Sequence, residues 1–506
     1  MRYTENVFAK YTSKENIEKI VCYDSIVDLW NHSVKEFKDD VALADISRSL
    51  TYSALDEEIS KFRAILKQNG INKGDFVGVF APNSIEWVKA YLALETLGCV
   101  AVLLPPHLPE QALFGCGMKF QMKAIIYHPC LQGKIGALNN MPHKMKLINI
   151  METSTSKEDA VSVGPKDGAV IIFTGGTTGK SKGALLNHKA LCRGSCNGCY
   201  GIPDVFKQRY LLILPLTHVF GLVRNLLTSL QTGSALFITQ NNKDMFRDIA
   251  VFKPTILVMV PALAEMCLNL SKQFKKNMLG ESLTHIICGA STVPPYLVKE
   301  YKQYHITLLP GYGLTESANL VSGNPVSEYK PASVGFPYPE QELKVVDGEL
   351  WIKGDNVMDC YYNDPEENKN AFSEDGFFKT GDLVRFDEEG FLFIVGRIKE
   401  IIVLPTGEKL SPFDLENKFD ELDIIQDCMV YLEEESGKLC IQVYPRATEI
   451  NKLQLSNPEE FIKQEVNKIN NSLPSFMRVS KIIIRKDDFV RTPAMKIIRG
   501  KANIND

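Results

Sequence analysis

The 506-residue chain contains no long hydrophobic run. Its most apolar stretch, Tyr91 to Pro106, is interrupted by Glu95 and is too short for the ~30 Å hydrocarbon core of a bilayer. The first twenty residues lack the apolar segment and small-residue cleavage site of a secretory signal. An excess of one charge is also missing. Fifty-seven Lys and Arg against 61 Asp and Glu leave a formal charge of −4 with no basic block, which argues against a nucleic-acid partner. There is no internal repeat and no low-complexity tract. The twelve cysteines are scattered without a small-domain framework and read as reduced thiols of a cytoplasmic protein. Cys192, Cys196 and Cys199 do have a spacing that can hold an iron–sulfur cluster. The same spacing is one face of a helix, and no other cluster signature accompanies it, so buried packing is expected. What remains is a soluble, cytoplasmic protein with no integral membrane segment.

Hydrophobic residues make up 45% of the chain and charged residues 23%, an ordinary globular balance, and the length calls for more than one core. Short β-branched runs alternate with helix-length segments: GDFVGVFAP, then Ile85 to Leu97, then AVIIF, YLLIL, SALFI, PTILVMV, HIICG and ITLLP. That alternation predicts an α/β fold of packed sheets. From about Leu343 the texture changes to hairpin-like strands and turns, a β-rich subdomain. After Arg397 a strand–helix–strand pattern predicts a separate α+β domain of roughly one hundred residues. The expected domains are therefore an N-terminal region, 1–396, of two packed α/β sheets plus a β-rich subdomain, and a small C-terminal domain, 397–506.

The segment Phe173-Thr174-Gly175-Gly176-Thr177-Thr178-Gly179-Lys180-Ser181-Lys182-Gly183 directly follows an apolar strand. Glycines let backbone N–H groups turn toward a ligand, and the hydroxyls and lysines add donors for phosphate oxygens. A nucleoside-triphosphatase P-loop is excluded, since that motif needs glycine five residues before Gly179 and Thr174 stands there.

This loop resembles the phosphate loop of the adenylate-forming enzymes, the AMP-binding superfamily that includes acyl-CoA synthetases, peptide adenylation domains and beetle luciferases. Other segments match the same family in its order. Gly311-Tyr312-Gly313-Leu314-Thr315-Glu316 resembles its Tyr-Gly-x-Thr-Glu motif, and Thr380-Gly381-Asp382 its Thr-Gly-Asp. Gly396 to Glu400 resembles its hinge motif, continued by Lys409 to Pro412 with Glu416. Arg491-Thr492 with Lys496 and Arg499 resembles its C-terminal lysine motif, although Met495 stands where glycine is frequent.

The resemblance implies roles. Thr174, Gly175, Gly176, Thr177, Thr178, Gly179 and Lys182 would hold ATP phosphates. Glu316 would hold Mg²⁺, a hard cation that takes oxygen ligands and keeps water. Gly289-Ala290-Ser291 would wall the adenine pocket, with Gly311, Tyr312 and Thr315 opposite. Asp382 would accept the ribose hydroxyls beside Arg397, although these two could simply pair with one another. Lys496 would offset the repulsion between an attacking carboxylate and the α-phosphate. Lys399 would be the hinge about which a mobile C-terminal domain turns between acyl-adenylate and thioester formation.

The resemblance thus implies an AMP-forming acid–thiol ligase using ATP and CoA. Leu214 to Gly221, where amino-acid-activating members carry an aspartate, has no acidic residue, and His218 resembles a histidine lining acyl pockets. The long hinge segment Ile401-Ile402-Val403-Leu404 and the stretch Phe489 to Arg499 lean toward fatty acids. Alternatives are an aryl-acid CoA ligase, an enzyme loading the pantetheine thiol of a carrier protein, and an ATP-binding regulator without catalysis.

Overall fold

Apolar runs of four to seven residues, each followed by an amphipathic segment, cannot pair as hairpins and instead build parallel strands with crossover helices. The computed structural model of the protein describes residues 2–3, 7–174, 182–406, 408–433, 436–455, 457–491, 497–499 and 504. The chain folds as two units, one formed by 1–343 with 352–378 and the other by 344–351 with 379–506.

The first unit holds two large sheets. One has nine strands, and its middle six run parallel in the order Thr307–Tyr312, His285–Cys288, Ile256–Met259, Arg209–Leu212, Ala235–Ile238, Val41–Ala44. The other has seven strands, ordered Cys360–Tyr361, Lys182–Asn187, Gly168–Thr174, Val100–Leu103, Phe76–Phe80, Ala124–Tyr127, Lys146–Asn149. Helix Ile85–Thr96 is buried along its whole length, packed between strands of the second sheet and helices Ile26–Glu36 and Tyr52–Gln68. That explains why its sequence is mostly apolar with little one-sided pattern, Glu86 at the first turn being the one residue not buried. The α/β class and the packed sheets expected from the sequence are present, and among the described residues no helix is long and apolar enough to cross a membrane.

Two expectations change. The strand-like run LTYSAL is cut after Thr51, whose side chain accepts the Ala54 N–H and caps helix Tyr52–Gln68. The expectation of uniformly reduced thiols fails at one pair. Cys22 and Cys196 form a disulfide, Cα–Cα 5.4 Å, because helix His188–Asn197 packs on helix Ile26–Glu36 and brings Cys196 to the segment preceding it. The other ten cysteines are free; Cys192 and Cys199 are buried as expected, but the helix ends at Asn197 and Cys199 lies in the turn beyond it, so the three do not share one helix face.

The second unit contains, from Lys379 onward, the antiparallel pair Phe378–Phe386 and Leu392–Arg397. Beyond it lies a three-stranded sheet ordered Ile425–Glu433, Lys438–Pro445, Lys481–Ile484. Helices Pro412–Phe419 and Pro458–Ser472 bury Leu415, Phe419, Ile462 and Val466 in the core of this sheet.

Candidate active site

In an open parallel sheet, ligands gather outside the carboxyl ends of the strands, where the chain leaves the ladder and its polar groups are free. Strand His285–Cys288 ends at Gly289-Ala290-Ser291, and the neighbouring strand Thr307–Tyr312 ends at the Gly311 to Glu316 motif. The two ends touch. A Cβ on Gly289 would sit 3.0 Å from the Gly311 carbonyl and 3.6 Å from the Phe220 ring, so this approach needs glycine. Ala290 adopts a positive φ of 68°, and Gly313 lies against the Asn319 carbonyl with no room for a side chain.

A third loop closes on the same place. After strand Arg209–Leu212 the chain passes His218 and enters a π-helix, Phe220–Leu227, a form frequent at functional sites. His218 is half-buried, and its Nδ1 accepts the Phe220 N–H at 3.2 Å. The loop is held by Asn83, which donates to the Leu214 carbonyl at 2.9 Å and accepts the Leu216 N–H at 3.0 Å. Asn83 follows strand Phe76–Phe80 of the seven-stranded sheet, so it ties the ends of the two sheets together.

The glycine-rich segment joins strands Gly168–Thr174 and Lys182–Asn187, which pair antiparallel with Thr174 opposite Lys182. Gly175, Gly176, Thr177, Thr178 and Gly179 lie outside the described residues, and both anchors of the segment lie within them. A strand–loop–strand is also the wrong context for a P-loop, which leads into a helix. Lys182 Nζ is bonded to Glu367 Oε2 at 2.5 Å and lies 5.0 Å from the centre of the Tyr361 ring. Tyr361 in turn donates its hydroxyl to Glu316 Oε1 at 2.6 Å.

Glu316 is a half-buried carboxylate on a tight turn, with Thr315 buried beside it. The Leu314 N–H donates to Ser317 Oγ and the Asn319 N–H to the Leu314 carbonyl, which fixes the turn. Asn356, fully buried, donates to the carbonyls of Ser317 and Leu320. Among the described residues no three His, Cys, Asp or Glu side chains converge on a metal site. A single carboxylate with a bonded phenol suits Mg²⁺, which takes one or two protein oxygens and completes its shell with water and substrate phosphates.

In the second unit Asp382 and Arg397 face each other across the hairpin, Arg397 Nε to Asp382 Oδ1 at 2.5 Å. The pairing foreseen as the plainer reading is therefore present. Asp382 is 4% exposed. Its N–H donates to Thr380 Oγ, and Gly381, at φ 71°, donates its N–H to Glu349 Oε1. Lys399 is exposed within the short 3-10 turn Ile398–Glu400. Lys496 lies outside the described residues, but both flanks are anchored. Arg491 bridges backbone to Ile497 and binds Asp427 at 2.6 Å and Asp488 at 2.8 Å. Arg499 grips buried Glu416 through both guanidinium Nη atoms, the longer bond being 2.9 Å, and Glu416 also takes the Val430 N–H at 2.6 Å.

Thus the first unit links Lys182, opposite Thr174, to Glu316 through Tyr361, and sets Gly289 against Gly311 and the Phe220 ring that follows His218, with Tyr312 and Thr315 between Gly311 and Glu316 in the chain. The sequence reading missed Asn83, Asn356, Tyr361 and Glu367. Their roles arise from strand pairing and loop closure, and no local motif marks them.

Comparison with known proteins agrees with this architecture. The AMP-binding enzyme family matches residues 30–362, and the AMP-binding enzyme C-terminal domain matches residues 399–505. The chain belongs to the AMP-binding enzyme family. The enzyme class expected from the motifs, an AMP-forming acid–thiol ligase, is the one this membership supports. A long-chain-fatty-acid–CoA ligase of Escherichia coli O6:H1 is 30% identical over 459 residues, covering 78% of this chain and 80% of that relative. A 4-coumarate–CoA ligase-like protein of Arabidopsis thaliana is 28% identical, covering 94% and 89%. The crystal structure of the anthranilate CoA ligase AuaEII in complex with anthranoyl-AMP has the same fold, with a TM-score of 0.84 at 20% identity over 95% of this chain and 97% of that one.

Proposed function

We propose that the protein joins a fatty acid to CoA in two steps. The acid's carboxylate oxygen attacks the α-phosphorus of ATP, forming the acyl-adenylate and releasing pyrophosphate. The CoA thiolate then attacks the acyl carbon, and AMP leaves with the electrons of the broken acyl–phosphate bond. Lys496 is the catalytic residue of the first step, its ammonium offsetting repulsion between the two anions. Thr174, Lys182 and the segment between them hold the phosphates. Tyr312, following Gly311, stacks on adenine, Gly289-Ala290-Ser291 forms another wall of that pocket, Thr315 lies beside it, and Asp382 with Arg397 takes the ribose. Glu316 would hold Mg²⁺, which supplies charge neutralisation on the phosphates. The lid runs from 397 to 506 and turns at Lys399. A cytoplasmic setting agrees with ten free cysteines, Cys22–Cys196 being the exception.

The observation that carries the choice of acid is the loop around His218. It presents Leu214, Leu216, Val219 and Phe220 and no carboxylate that could receive an α-amino group. The fatty-acid relative supports an aliphatic acid. The 4-coumarate and anthranilate ligases favour a second reading, an aryl acid.

The test is ATP–pyrophosphate exchange with fatty, aryl and amino acids, followed by thioester formation with CoA or a carrier protein. Exchange should depend on fatty acids and fall at least a hundredfold in Lys496→Ala. Exchange with aryl acids alone selects the second reading. Binding of ATP with no exchange for any acid refutes catalysis.

A further inference from the structure

Lys182, at the end of the glycine-rich segment, is already engaged. Its side chain is only 13% exposed and is paired with Glu367, which is 37% exposed. The contact is built from several directions. Cys360–Tyr361 pairs antiparallel with the lysine's own strand, placing Tyr361 opposite Ala184. The Tyr361 backbone is clamped to Asn368 twice, its N–H donating to Oδ1 at 2.7 Å and its carbonyl accepting from Nδ2 at 2.8 Å. Asp364 caps the helix Pro365–Ala371 that carries Glu367 and Asn368. On its other side, Met358 N–H donates to the Glu316 carbonyl at 2.8 Å. The segment 358–368 therefore grips the glycine-rich hairpin and the Glu316 turn together, with the Tyr361 ring under Lys182 and its hydroxyl on Glu316.

We infer that Glu367 is an internal anion that competes with the nucleotide's phosphates for Lys182, and that Tyr361 is the positioning residue holding Glu316 in register with that lysine. The inference rests on the reading of the site as an ATP site. A phosphate that reaches Lys182 must displace or share the Glu367 carboxylate, an exchange of one anion for another at a fixed cation. The cost is that of a partly exposed ion pair, a few tenths to about 1 kcal/mol, or up to roughly fivefold in affinity. Tyr361 restrains the carboxylate through a hydrogen bond to a charged acceptor, stronger than a neutral one.

The experiment is calorimetric binding of ATP with Mg²⁺ to the full chain, paired with exchange kinetics. Glu367→Gln should bind ATP roughly two- to fivefold more tightly, lowering KM for ATP without raising kcat. Exposed Glu366→Gln is the control and should match wild type. Tyr361→Phe should raise the Mg²⁺ concentration for half-maximal exchange severalfold with the thermal midpoint unchanged. Unchanged or weaker ATP binding in Glu367→Gln overturns the competition, and an unchanged Mg²⁺ dependence in Tyr361→Phe overturns the positioning role. A wild type that binds no ATP sinks the nucleotide reading itself, and this inference with it.

Discussion

At the scale of single residues, the least expected group is Glu95. In the sequence it reads as a polar break in an apolar run, which would place it at a surface. In the structure it is fully buried near Tyr91 and His188, His188 Nδ1 to Glu95 Oε2 being 3.6 Å, and among the described residues the His188 ring has no hydrogen-bond partner. Burial raises the Glu95 carboxyl well above its ordinary value of 4.5 and lowers the His188 imidazole from 6.5 to about 4, so both are held neutral. For His188 the folded value lies below the unfolded one, and its contribution to stability is lost as pH falls from 6.5 toward 4. For Glu95 the sign is opposite, and stability is lost as pH rises above 4.5 toward the folded value. Glu95→Gln removes only the second loss. Its unfolding free energy from urea titration should gain on wild type between pH 5 and pH 8, by about 1.4 kcal/mol per pH unit while the folded carboxyl stays protonated. Parallel curves would mean that the folded Glu95 carboxyl is ionised beside a neutral His188 and binds no more protons than in the unfolded chain. Sequence patterning missed this pair because burial of a polar residue depends on what packs across from it, here a helix that begins more than ninety residues later.

At the scale of elements, the sequence showed more. Strands such as Ile256–Met259 and helices such as Ile85–Thr96 follow from length and apolar periodicity. The Asp382–Arg397 pair follows from a hairpin once its turn is recognised. Glu416 and Arg499 were legible as motif members, but their bidentate contact needed two distant elements to meet. That contact anchors the chain just after Lys496, as the Arg491 bridge anchors it just before. Arg499→Ala leaves Glu416 buried and largely unpaired, at a cost of about 3 kcal/mol. Both the stability of the second unit and the exchange rate should fall, with ATP affinity of the first unit retained. Exchange at wild-type rate in this variant would mean that the anchor does not position Lys496.

At the scale of the molecule, composition and alternation were enough for an α/β region followed by a smaller α+β one. The route of the chain between the two units was not legible, because short strands do not announce their partners. Calorimetry of the full chain should resolve two heat-absorption steps, and Arg499→Ala should lower only one, since two units with separate cores need not unfold together. The route has a consequence for synthesis. The chain leaves the first unit at 343, returns at 352 and leaves again at 378. Both Tyr361 and Glu367 belong to the returning stretch. A nascent chain of 343 residues therefore carries Lys182 and Glu316 without the groups that hold them. Residues 344–351, already paired within the hairpin of strands Gln341–Val346 and Glu349–Gly354, must wait with the outer edge of the second strand open until the stretch beginning at 379 emerges from the ribosome to complete their sheet. A translational pause between those points would expose an open strand edge, and chaperone demand should be greatest there.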